Sequence, residues 1–121
     1  MKRLSSVFIV SVLLIGTGWN TYHLALKQSN PSKEAVIGSV PDTVQVWFNQ
    51  NVRMESSSLR ITRSGGDSVA LTIASTQDPK SFIGIRSDTL DFPTGNYTLD
   101  WGTAGNDEHV VEGSVPFTVS R

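Results

Sequence analysis

Hydrophobic and polar residues alternate along much of this chain, most sharply near its end. Tyr97, Leu99 and Trp101 are interleaved with Asn96, Thr98 and Asp100, the period-two pattern of a strand with one face in a core. Thr103, Ala104, Gly105 and Asn106 are small or turn-prone and interrupt it, and Val115, Phe117 and Val119 resume the alternation after Gly113. Earlier, Val44, Val46 and Phe48 alternate until residues 49–51 end the run. Leu59 and Ile61, a turn at residues 64–67, and then Val69, Leu71 and Ile73 read as a hairpin whose second strand returns along the first. Residues 82–85 form a brief apolar strand. Leu24 and Leu26 share one face of another, which leaves His23 on the opposite face with Ala25. Pro31, Pro41, Pro79 and Pro93 punctuate the chain between these runs. The pattern predicts about seven short strands, with turn signals roughly every 8 to 12 residues and no sustained helical period. The fold class expected is all-β, an Ig-like Greek-key β-sandwich.

The first eighteen residues read differently. Met1, Lys2 and Arg3 make a basic start, residues 7–15 are apolar except for Ser11, and Gly16 and Gly18 put small residues at the −3 and −1 positions of a cleavage site. Residues 1–18 are therefore expected to be a signal peptide, and residues 19–121 a single exported domain. The apolar run is about half of the ~20 residues that a membrane-spanning helix needs. Removing the leader takes ten basic residues to eight against eleven acidic ones, and the formal charge from −1 to −3. Such a surface gives no reason to expect nucleic-acid binding. The chain has no cysteine, which excludes disulfides, thiolate metal sites and cysteine nucleophiles. No G-x-S-x-G elbow or comparable hydrolase motif is present.

The candidate chemistry lies between the last two alternating runs. Asp107 and His109 are two residues apart, so on an extended backbone the carboxylate and the imidazole would point to the same side, a spacing that can hold a metal ion. The residues alone leave a plainer reading open. Asp107 also suits a turn in which it satisfies local backbone N–H groups, and His109 suits a rim histidine. Glu108, between them, is expected to point away as a solvated surface carboxylate.

Taken in order, the pieces resemble the CopC family of exported bacterial copper-resistance proteins. The resemblance is carried by His23, Ser29 and Pro31, by residues 44–48 and 78–80, and by the string G-x-Y-x-x-x-W-(x5)-D-x-H-(x3)-G-(x3)-F that runs from Gly95 through Asp107 and His109 to Phe117. It implies a periplasmic β-sandwich that binds Cu(II) through an early histidine and the D-x-H pair, here His23, Asp107 and His109. These are the only two histidines in the chain. Two imidazoles and a carboxylate suit a tetragonal Cu(II) site whose fourth position is taken by water or a main-chain group. Cleavage after Gly18 would give the free amine to Trp19 and make His23 the fifth residue, where its imidazole but not a terminal amine is offered. Some family members carry a methionine-rich Cu(I) loop; here Met54 is the only methionine beyond Met1, and no such site is expected.

Three functions fit these readings. The first is a monomeric copper-binding protein without enzymatic chemistry, which buffers Cu(II) or hands it to an inner-membrane copper transport protein. The second is a structural sandwich that acts through a protein partner. The third is a histidine-brace copper oxygenase, which needs a terminal histidine and so a cut before His23.

Overall fold

The alternating runs become strands buried on one face. In β3 (Thr43–Phe48), Val44, Val46 and Phe48 are buried while the residues between them are exposed or half-buried. Tyr97, Leu99 and Trp101 of β8 (Gly95–Ala104) and Val115, Phe117 and Val119 of β9 (Val110–Val119) behave in the same way. The computed structural model describes residues 23–87 and 91–121. The expected signal peptide, residues 1–18, lies outside the described residues.

Two sheets pack face to face. One has the order β1 (Leu26–Asn30), β3, β7 (Ser81–Ile85), β6 (Thr72–Ser75); the other has β2 (Ala35–Ile37), β9, β8, β4 (Ser58–Arg63), β5 (Ser68–Ala70). Every pairing is antiparallel except that of β2 with β9. Among the described residues the one helical element is a single 3-10 turn, Met54–Ser56. The all-β sandwich expected from the pattern is the fold found, with nine strands where the alternation marked about seven.

Two features account for the difference. β2 is a three-residue edge strand whose partner, β9, is distant in sequence. The run through Val69, Leu71 and Ile73 also divides. β5 pairs with β4 as a hairpin, with Thr62 opposite Ser68 and Arg60 opposite Ala70. Leu71 then donates its N–H to Leu59 O at 2.9 Å and buries its side chain, and the chain continues as β6 in the other sheet, with Ile73 opposite Gly84 of β7. The returning strand thus leaves its hairpin halfway, and Leu71 fills the core at the crossing.

Aromatic rings join the layers. Phe48 stacks on Phe82 at 5.8 Å and meets the edge of Trp101, from the opposite sheet, at 5.1 Å. Trp101 therefore packs between the sheets, as its place in the alternation predicts. Its cross-strand neighbour is Gly113, and a Cβ there would collide with the indole, so only glycine leaves room for the ring against β9. Each such side chain contributes about 1.5–3 kcal/mol by leaving water, and aromatic pairing adds about 0.5–1.5 kcal/mol.

The ladders also sort the loops. Leu26 opposes Phe48, Ser81 opposes Trp47, Ser58 opposes Gly102, and Val110 opposes Ala104, so β1, β4, β7 and β9 begin at the pole where β3 and β8 end. The loop after β3 ties this pole together, with Val52 N–H on Pro79 O at 3.0 Å and Arg53 N–H on Ala104 O at 2.9 Å.

Candidate metal centre

The β8–β9 ladder runs without a break to Ala104–Val110 and leaves residues 105–109 to turn the chain. Gly105 is buried against the loop after β3: a Cβ there would run into the Gln50 side chain, and the next N–H, that of Asn106, donates to Gln50 Oε1 at 3.3 Å. Glu108 N–H closes the turn on Gly105 O at 3.1 Å. Glu108 itself has φ of +65°, in the left-handed region.

The segment is therefore a turn, where an extended D-x-H stretch was expected. The turn nevertheless brings the pair together. Asp107 Oδ1 accepts the His109 N–H at 3.2 Å, and Asp107 Oδ2 lies 3.7 Å from His109 Nδ1. Asp107 thus takes the backbone-satisfying part that the plain reading gave it, and its second oxygen still faces the imidazole. Both side chains are open to solvent, 65% exposed for Asp107 and 88% for His109. Glu108 is solvated as expected, and its carboxylate reaches Arg53 Nη2 at 3.4 Å.

His23 opens the described chain at the same pole. Its imidazole is exposed, and its segment is held by Asn49 at the end of β3. Asn49 Nδ2 donates to His23 O at 2.8 Å, Asn49 Oδ1 accepts Ala25 N–H at 2.9 Å, and Asn49 N–H donates to Ala25 O at 3.1 Å. Leu24 is buried between these two residues, which keeps His23 and Ala25 on the outer face, as the alternation predicts. The side chain of His23 is not gathered with Asp107 and His109: among the described residues no group of three or more histidine or carboxylate side chains is close enough to hold a metal ion.

Reading the sequence passed over Asn49, Gln50 and Arg53, which carry this pole. Residues 49–51 served only to end β3; the usable signal was a pair of amide side chains directly after a strand, where backbone groups lose their ladder partners. Arg53 links two acidic neighbours, Glu55 at 3.2 Å and Glu108 at 3.4 Å. A backbone hydrogen bond and the Arg53 guanidinium hold the Glu55 carboxyl below its ordinary value. Met54 is half-buried and packs against the core.

Relatives match most of this chain. The CopC domain family matches residues 26–120. Copper resistance protein C of Escherichia coli is 30% identical over 128 residues, covering 98% of this chain and 99% of that protein. The crystal structure of PcoC, a methionine-rich copper resistance protein from Escherichia coli, superposes with a TM-score of 0.67 at 27% identity, over 81% of this chain and 99% of that one. The copper transport protein CutJ of Bacillus subtilis (strain 168) is 23% identical over 99 residues, 82% of this chain but 18% of that much longer protein. With a domain match across all the described strands and a relative aligned over 99% of its length, the chain belongs to the CopC family.

Proposed function

We propose that this protein is an exported copper binder of the copper-resistance type, which holds Cu(II) in the periplasm through His23, Asp107 and His109 and carries out no reaction on it. The observation that carries this reading is the turn at residues 105–109, which sets a carboxylate oxygen and an imidazole nitrogen 3.7 Å apart at the pole where the His23 segment begins. Imidazole and carboxylate donors suit Cu(II), and Met54, the soft ligand that would favour Cu(I), is packed against the core. With both donors of the pair open to solvent, the ion would be bound at the surface and available for transfer. The likeness of this chain to part of a longer copper transport protein supports a copper transport protein as the recipient, which we read as one of the inner membrane. The ion is cargo, and the domain is read as a monomer after removal of residues 1–18.

One observation favours a second reading, a sandwich that acts through a protein partner: the His23 side chain stands apart from the other two candidate ligands. A Cu(II) titration of the purified protein separates the two, with its N-terminus fixed by mass spectrometry and with His23→Ala and His109→Ala beside it. One equivalent bound by the wild type and weakened in both variants is the expected result. Equal, weak binding by all three proteins would leave the partner reading.

A further inference from the structure

The side chain of Asn49 does the work of a peptide unit. β3 ends at Phe48 and β1 begins at Leu26, yet the pairing of the two segments continues beyond both limits. Asn49 N–H bonds to Ala25 O in the manner of a ladder, and the Asn49 carboxamide then supplies the next acceptor and the next donor, Oδ1 to Ala25 N–H and Nδ2 to His23 O. Three bonds of 2.8–3.1 Å thus fix the backbone from His23 to Ala25 on an element that the following residue, Gln50, joins to the 105–109 turn through Asn106 N–H. Among the described residues, the Asn49 carboxamide adds two of these bonds to the backbone bond and the buried Leu24 that also hold the segment ahead of the first strand.

We propose that Asn49 is the positioning residue for His23, holding its backbone at the pole where Asp107 and His109 stand. This rests on the reading of His23 as a copper ligand. Because the clamp grips the carbonyl of His23 and both backbone groups of Ala25, it acts whether the mature chain begins at Trp19 or at His23. A ligand arm held in this way loses less freedom on binding than a loose terminus, which raises affinity without a new contact to the ion.

The test compares wild type, Asn49→Ala, Asn49→Asp and His23→Ala by Cu(II) titration and electron paramagnetic resonance, with amide hydrogen exchange on the metal-free proteins. Asn49→Ala is expected to weaken Cu(II) binding roughly 10–100-fold, the usual cost of losing an outer-shell partner. The spectrum of its remaining bound copper is expected to match that of His23→Ala, a change that general destabilisation does not produce. Exchange at the Ala25 amide should accelerate in the same variant. Asn49→Asp keeps the acceptor for Ala25 N–H and loses the donor to His23 O, so it falls between the two and serves if the alanine variant does not fold. Wild-type affinity and spectrum in a variant whose Ala25 amide exchanges faster would overturn the proposal. A His23→Ala protein that binds copper as the wild type does would remove His23 from the site, and with it the role of Asn49; that outcome is read without any Asn49 variant.

Discussion

The two poles of the sandwich are closed by different means. At the pole away from the D-x-H turn, Phe92 is 5% exposed, Tyr97 donates its hydroxyl to Pro93 O at 2.6 Å, and the two rings meet edge to face at 5.8 Å. Arg86 lies over Phe92, and Arg121 donates to Phe92 O and Gly38 O. At the other pole the ties are made by polar side chains near water: Asn49 on the His23 segment, Gln50 on Asn106, Arg53 on Glu55 and Glu108. Apolar closure gives stability in proportion to the area buried, whereas exposed polar ties contribute little free energy and mainly set geometry. The Phe92–Tyr97 closure and the candidate chemistry thus lie at opposite ends of one molecule, so that either can be changed with little effect on the other.

The sharpest way to break that separation is at the closed pole. Phe92→Ala should cost about 3–5 kcal/mol in urea unfolding while the protein that remains folded binds Cu(II) as before. A parallel loss of copper affinity would show that the poles are coupled. At the open pole the expectation reverses. His109→Ala removes a side chain that is 88% exposed, so stability should stay within about 0.5 kcal/mol, whereas Cu(II) affinity should fall by more than the roughly 10–100-fold typical of an outer-shell loss. Calorimetric melting and metal titration of the same sample check both halves.

Smaller effects sharpen the contrast. Tyr97→Phe deletes the hydroxyl that bonds to Pro93 O and should cost about 0.5–1.5 kcal/mol, visible as a lower urea midpoint with an unchanged slope. The least effect is expected at Glu55. Its carboxyl titrates below the ordinary 4.5 in the folded protein, so its stabilising contribution is complete above that ordinary value and disappears as pH falls through the folded one. Arg53→Ala should move the Glu55 titration part of the way back up, followed by carboxyl carbon NMR, while the backbone hydrogen bond keeps the remainder. A titration left unchanged by that substitution would mean that Arg53 does not reach Glu55 in solution.

How much of this was legible in the sequence depended on whether the information was local. The alternation in β3, β8 and β9 records which side chains face the other sheet, so those strands and the packing of Trp101 could be read directly. The crossing at Leu71 could not, because Val69, Leu71 and Ile73 keep period two while the chain changes partner from β4 to β7. β2 was hidden for a similar reason, since three residues carry too short a pattern and the partner lies far along the chain. At the candidate site, residue types and spacing pointed to Asp107 and His109, but the backbone between them was misjudged: Glu108 adopts positive φ, and the pair meets through a turn. Asn49 went unnoticed because a side chain that stands in for backbone leaves no periodic trace.

The candidate ligands belong to different layers. The His23 arm leads into β1, at the edge of one sheet, and Asp107 and His109 sit in the hairpin of the other. An ion held by all three would act as a clasp between the two halves of the fold, and copper occupancy would register as resistance of the whole domain to heat. At free copper a hundredfold above the dissociation constant, that clasp would add about 2.7 kcal/mol, so a simple melting curve would serve as a gauge of metal loading.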